Sequence, residues 1–571
     1  MTSYSAVDFV PPSPGSWELE QTHLTRPLSV LMAKIFPPNM MRGFAEGTRA
    51  YGVLLDHLEV AIINRFAYMA PRPVGAPKGA KGPPPRLVFE IVRRLHPEIR
   101  RRIRRASEVF RERSWRRELE WWDTDVKPSL AKEARALMAE DLAGGTTATL
   151  VDHLRRAADF AGRTVFWHHR FNICVMLPLG DFLIHAMDWT ALAPEEILPA
   201  MRGASPVSAG ATQELAVLRD AIHADSTALG VLLSEQAPAD ILIELEQRPG
   251  AVANALRAYM DIVGYRVLGG YDVADRHARE HPELLVKIIR STAIADDEIG
   301  RKAAADRAVA GIRARVPAEH REAFDDLLAE SQLVYRLRDE RIFHSDAMGI
   351  GILRRAVLAA GERLKAQGLA RDPLHLVDAT IDETVSLLEG RGGPSADELA
   401  ERTRWRLETP LTAAPSRLGI PPSSPPPAEW LPPDAARMQR VIDLVLKLMF
   451  DTRRAAPEQA ASPSQKSLKG FGVSPGVYEG LARVVGNISD LPSIQSGEVL
   501  VATSTGPTFN VVLPLIGAIV TERGGALSHA AIVAREYGLP GVVGCPGATT
   551  AIRTGMRVRV NGMTGEVWTI G

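Results

Sequence analysis

Cysteine is almost absent from this sequence. Its two thiols, Cys174 and Cys545, lie in separate regions without CxxC spacing, which excludes a disulfide framework and a cysteine-based zinc site and suits a reducing cytosol. An excess of either charge is also missing. The 68 basic residues balance 68 acidic ones, so no global field points to nucleic acid or to an anionic membrane. Long apolar runs are lacking as well. Phe171 to Trp189 is interrupted by Pro178 and Asp181, and Val511 to Val520 falls well short of the ~20 residues a spanning helix needs. The first residues show no basic segment followed by an apolar core. A signal peptide is therefore not expected, and the cytoplasm is the expected location. No Walker-type GxxxxGK[ST] occurs. Gly470-Phe471-Gly472 does not open a dinucleotide fingerprint, because the spacing to Gly476 is wrong and Pro475 opposes a helix there.

What is present is ordinary globular composition, 46% apolar and 24% charged, over a length sufficient for two to four domains. Residues 1–400 read mostly as helix. Val151 to Phe160, Gln213 to Leu229 and Leu353 to Leu364 carry apolar residues at three- and four-residue intervals. Pro71 to Pro85 and Arg391 to Pro394 mark loops. Residues 401–469 read as a Pro-rich linker holding one helix, Ala435 to Phe450. From Gly470 the pattern changes to short β-rich runs, with Asn561-Gly562 as a hairpin signal. The expected fold is therefore multidomain: a large, mostly α-helical domain (1–400), the linker, and a compact C-terminal β/β/α domain over 470–571.

The densest chemical signal is Ala518 to Gly544, which reads as strand, glycine turn, helix, helix stop, strand. Gly524 and Gly525 permit a tight turn. Ser528 is a good N-cap, and the helix from His529 to Tyr537 stops at Gly538 and Pro540. His529 then sits in the first turn, where free backbone N–H groups and the positive end of the helix dipole stabilise a phosphate dianion. A neutral imidazole is also a competent nucleophile toward phosphorus. The pattern alone equally describes a capped surface histidine.

This stretch closely resembles the phosphohistidine swivelling domain of the phosphoenolpyruvate (PEP)-utilising enzymes, among them pyruvate phosphate dikinase, PEP synthase, rifampin phosphotransferase and phenylphosphate synthase. The resemblance rests on Thr521-Glu522, Gly524-Gly525, Leu527 to Arg535 and Gly538 to Gly544, with Gly472-Val473-Ser474-Pro475-Gly476 upstream and Gly562 and Gly565 downstream. It implies that His529 is the phosphorylated residue, set in a loop of Thr521, Glu522, Gly524, Gly525 and Ser528. One departure is Thr505-Gly506-Pro507-Thr508-Phe509, where relatives usually carry a tryptophan after Thr-x-Pro.

The helical part resembles, more weakly, the acceptor-binding region of rifampin phosphotransferase and the large subunit of phenylphosphate synthase. Its anchors are Gly15 to Glu18 with His23 and Arg26-Pro27, Gly264-Tyr265-Arg266, and Arg338 to Arg341. The resemblance implies a dikinase-type phosphotransferase whose ATP and Mg2+ are held by a separate ATP-grasp subunit, and whose acceptor is a small, phenol-like hydroxyl compound. Another alcohol such as an antibiotic, a non-catalytic phosphocarrier, and PEP as donor are the alternatives. Acceptor transfer needs a base and cations. Within Trp167 to Phe171, His168 or His169 can serve as base and Arg170 can meet phosphate, with Arg338, Glu340 and Arg341 as possible lining. The same residues also fit a satisfied helix face with solvated ion pairs. Metal ligands are not expected in this chain. The arginine series from Arg86 to Arg117 reads as a solvated helix face, or second as a docking face for the partner.

Overall fold

The computed structural model describes residues 8–570 except 22–23, 25, 206–212, 293–297, 451–466, 487, 507–508, 510–511 and 514. His23, Pro507 and Thr508 thus lie outside the described residues. The chain divides into two compact units that do not follow chain order. One comprises Met1–Cys174, Tyr265–Arg276 and Arg341–Arg440; the other comprises Val175–Gly264, His277–Glu340 and Val441–Gly571. Composition marks where the β-rich segment begins, whereas packing groups the middle helices with that segment.

The first unit is built on helices but also holds a sheet that helical periodicity did not reveal. Strands β1 (Ser16–Leu19), β2 (Leu55–Ile63), β3 (Phe66–Pro73) and β4 (Arg417–Gly419) pair antiparallel in the order β2-β3-β1-β4. β2 and β3 are joined by Asn64-Arg65, both at positive φ (49° and 66°), the two-residue hairpin geometry that glycine usually signals. Because β3 runs to Pro73, the proline-rich loop starts later than Pro71. Trp17, Phe66, Tyr68 and Leu418 fill the core of this sheet. Beside it the helix Val30–Tyr51 lies against Thr147–Arg170, the two approaching closely at Gly43 and Gly47. A Cβ on Gly47 would stand 2.8 Å from the carbonyl oxygen of Arg170.

The arginine series belongs partly to this core, which corrects the reading of a solvated face. Arg102 is 1% exposed and donates to the Val53 carbonyl (2.8 Å), Asp56 (2.9 Å) and Glu98 (2.6 Å). A buried guanidinium is tolerated because each of its three nitrogens finds an acceptor.

The second unit combines helices with an eight-stranded mixed sheet. Its strands are β5 (Ser467–Lys469), β6 (Phe471–Ser474), β7 (Val477–Val485), β8 (Val499–Ala502), β9 (Ala518–Thr521), β10 (Gly541–Val543), β11 (Arg557–Asn561) and β12 (Glu566–Ile570). The order is β5-β12-β11-β7-β8-β9-β10-β6, with β7, β8, β9 and β10 mutually parallel. Val499, Val501, Val520, Val542, Val558 and Val560 form the apolar layer beneath them. Multidomain architecture, a large helical part and a strand-rich C-terminal part therefore all hold.

Three local expectations change. Gln213 to Leu229 is two helices, Gln213–His223 and Ser226–Leu233, because the Asp225 carboxylate accepts the N–H groups of Thr227 and Ala228 (both 3.0 Å) and caps a new start. The Asn561-Gly562 hairpin has a four-residue connection, since Asn561 still pairs with Glu566 and its side chain accepts from the N–H groups of Met563 and Thr564. The helix Asn172–Thr190 continues through Pro178. Together with the preceding helix it forms a stretch, Thr147–Thr190, long and apolar enough to cross a membrane, yet 78% of its apolar window is buried inside the structure, as in a core helix.

Candidate functional site

The histidine loop leaves the carboxyl end of β9, where parallel strands commonly present ligand-binding loops. Thr521 is fully buried, and its hydroxyl donates to the Arg523 carbonyl (2.9 Å), closing the turn from below. Glu522 accepts from both the backbone N–H and the hydroxyl of Thr549 (2.8 and 2.6 Å), which ties the loop to the short helix Ala548–Ala551. Gly524 has φ 113°, and a Cβ there would come 2.7 Å from the Ser528 side chain, so only glycine fits. The Gly525 carbonyl accepts from Ser528 N (2.9 Å), and the Leu527 N–H donates to the Leu448 carbonyl (3.1 Å). Ser528 is the N-cap of the helix His529–Tyr537, its Oγ accepting from Ala531 N at 3.4 Å, and Gly538 closes the helix in the left-handed conformation. The cap, helix bounds and stop coincide with the sequence expectation, and His529 is the first helical residue.

His529 is partly exposed, yet the surrounding protein displaces enough water that burial pushes its pKa down to about 3. Asp339 opposes this shift and Arg338 adds to it. The ring is therefore neutral across the physiological range, the form that attacks phosphorus. Asp339 is 1% exposed and accepts from the Ser205 hydroxyl at 2.9 Å, while Arg338 Nη1 lies 3.7 Å from Asp339 Oδ1. Glu340 pairs with Arg336 at 2.7 Å, one turn away on the same helix face. Farther along the histidine helix, the buried Arg535 donates to the Ala526 carbonyl (2.8 Å), and the buried Glu536 accepts from Gly203 N (2.7 Å).

The other proposed residues gather in the first unit. His168 and His169 end the helix Thr147–Arg170 with ring centroids 4.7 Å apart. Nδ1 of His169 donates to the Val165 carbonyl (2.8 Å), and burial, reinforced by neighbouring His168, holds its pKa down to about 3. Nδ1 of His168 faces Asp346 Oδ2 at 2.9 Å. Burial raises the Asp346 carboxyl to about 7, against the lowering influence of His169 and Arg341. Arg341 donates to the His168 carbonyl (2.6 Å) and to the Asn172 side chain. Arg170, expected to meet phosphate, instead has both terminal nitrogens bound to Glu118 (2.9 and 2.6 Å) above the rings of Trp121 and Phe171. A cleft of about 290 Å³ opens beside this pair, lined by Tyr51, Arg105, Ser114, Arg117, Glu118 and Trp121. Among the described residues no three His, Cys, Asp or Glu side chains are grouped to hold a metal ion.

Sequence reasoning therefore placed the histidine loop but missed Asp339, Asp346 and Glu536. Asp339 stood inside the singled-out Arg338 to Arg341 run. The other two carried no local signal.

Comparison with known proteins finds two matching segments. Residues 494–565 match the PEP-utilising enzyme mobile domain, and residues 182–344 match the rifampicin phosphotransferase fourth domain. A rifampicin phosphotransferase from Streptomyces sp. is 30% identical over 346 residues, covering 57% of this chain and 36% of that protein. The PEP synthase of Pyrococcus furiosus is 45% identical over 101 residues, 18% of this chain and 12% of that enzyme. A chondramide synthase from Chondromyces crocatus is 46% identical over 110 residues, 19% of this chain and 3% of that protein. The chain thus spans 36% or less of the length of each of these relatives. Two segments of the chain are thus similar to the mobile domain of the PEP-utilising enzymes and to the fourth domain of the rifampicin phosphotransferases.

Proposed function

We propose that this chain is the phosphohistidine-carrying, acceptor-binding part of an ATP-dependent phosphotransferase. A ring nitrogen of His529 attacks the β-phosphorus of ATP, the P–N bond forms and the P–O bond to AMP breaks, after which water cleaves the P–O bond to the terminal phosphate and leaves one phosphoryl group on the ring. The hydroxyl oxygen of a small acceptor then attacks the same phosphorus, the P–N bond breaks, and the hydroxyl proton passes to a base. Over the cycle ATP, water and the alcohol become AMP, phosphate and the phosphate ester. ATP and Mg2+ would be held by an ATP-grasp unit outside these 571 residues, on a separate subunit. A phenol-like acceptor is the first choice. The cytoplasm is the proposed location, a reading that two buried, free thiols support.

The observation that carries the proposal is His529 itself: a neutral imidazole at the first turn of a capped helix, within the mobile-domain match. There an added phosphate dianion meets the backbone N–H groups of the first turn and the positive end of the helix dipole. Labelled ATP plus the nucleotide-binding partner should place an acid-labile label on the wild type and none on His529→Ala. An equally labelled His529→Ala chain would refute it.

A second reading, an antibiotic hydroxyl as acceptor, is favoured by the 346-residue similarity to a rifampicin phosphotransferase, which extends well beyond the mobile domain. Assaying phenol and rifampicin as acceptors with the reconstituted pair separates the two.

A further inference from the structure

The C-terminal end of the histidine helix touches a short turn, and a residue bound to that turn acts on the histidine at the other end. Glu536 lies seven residues after His529, two helical turns on and on the same face. Its neighbour Arg535 donates to the Ala526 and Val473 carbonyls and also hydrogen-bonds Tyr335 in the segment 182–344. Glu536 reaches the backbone of that segment: its Oε2 accepts from the N–H of Gly203. Gly203 has φ 80°, a left-handed conformation that glycine adopts at no steric cost. Two residues on, Ser205 donates to Asp339, and Asp339 is the acidic neighbour of His529. Hydrogen bonds thus join Glu536 to Gly203 and Ser205 to Asp339, and the Asp339 charge acts on His529.

Burying a carboxylate is costly unless it is hydrogen-bonded, and Glu536 is only 4% exposed. Replacing it by an apolar residue would remove that cost, so its presence calls for a role other than stability. The charged groups facing it are Arg535 from its own helix, Arg202 from the turn, and Asp339.

We infer that Glu536 is a positioning residue for His529: by accepting the Gly203 N–H it seats the histidine helix on the 198–205 turn, and release of this contact frees His529 to meet an outside phosphoryl donor. The inference rests on the reading of His529 as the phosphoryl carrier and assigns the group that governs its access.

The full chain is treated with potassium phosphoramidate, a small donor that needs no partner protein, and acid-labile phosphate on His529 is followed by peptide mass spectrometry. Glu536→Ala should label about tenfold faster than wild type, the factor expected for losing one hydrogen bond that holds the seat. Glu536→Gln keeps an oxygen for Gly203 N–H and should label at the wild-type rate. Should the alanine variant fail to fold by near-UV circular dichroism, Glu536→Asp, with the carboxylate withdrawn by one methylene, asks the same question and should also label faster. Equal rates in wild type and the shortened variants overturn the inference, as does a glutamine variant as fast as alanine. Label absent from His529 in every variant overturns the carrier reading and this one with it.

Discussion

Nδ1 of His168 and Oδ2 of Asp346 stand 2.9 Å apart, joining the end of the helix Thr147–Arg170 to the π-helical turn Ile342–Asp346. Widened turns of this kind are frequent at functional sites because they re-aim one side chain without ending the helix. Here the re-aimed group is a carboxylate only 2% exposed, with a pKa raised to about 7. A folded-state value above the unfolded one means that the folded protein holds this proton more tightly. The stability it contributes is complete below about pH 4 and is lost as pH rises toward 7. Asp346→Asn removes that loss, so its melting temperature relative to wild type should rise between pH 4 and pH 8. Thermal unfolding of the two proteins at pH 4, 6 and 8 checks this; a constant difference across the series contradicts it.

How much of this was readable beforehand depends on how local each signal is. The histidine helix was legible to the residue because its cap, Ser528, and its stop, Gly538, both lie in the chain next to it. The hairpin at Asn64-Arg65 was not, since neither residue is a glycine although both take positive φ, and since β2 is only half-buried and so shows no clean alternation. The pairings that surround the reactive groups were beyond reach for another reason. His168 meets a carboxylate 178 positions later, and Glu536 meets an N–H 333 positions earlier. Packing alone brings such pairs together. Arg170 shows the same limit from the other side: its type suited phosphate, but Glu118 already occupies its fork.

Close helix contact in the first unit rests on Gly43. A Cβ there would fall inside contact distance of the Phe166 carbonyl oxygen and 3.2 Å from the Arg170 N. Replacing an interior helical glycine by alanine ordinarily gains about 1 kcal/mol of propensity. Forcing a methyl into a packed interface costs about 1–3 kcal/mol, and against backbone, which yields little, the cost falls at the upper end. The clash should win. Gly43→Ala is expected to lower stability in urea unfolding by a net ~1–2 kcal/mol, whereas alanine at Gly311, with nothing within 4 Å, should be neutral or stabilising.

The protonation state of His529 gives the most direct solution test of its setting. A free imidazole titrates near 6.5, so at pH 5.5 most of it would be charged and unable to attack phosphorus. Burial holds His529 down to about 3, so it stays neutral at that pH. The sign for stability follows. Between the depressed folded value and the unfolded 6.5, the unfolded chain binds the extra proton. The folded state is therefore fully favoured above pH 6.5 and loses ground as pH falls toward 3. Nitrogen NMR of histidine-labelled protein should show the His529 ring in its neutral form at pH 5.5, assigned by the signal missing from His529→Gln. The same substitution should reduce the acid-side loss of stability. A ring that is mostly protonated at pH 5.5 would mean that water reaches it as freely as it does a surface histidine, and the desolvated seat described for the helix start could not be its resting environment.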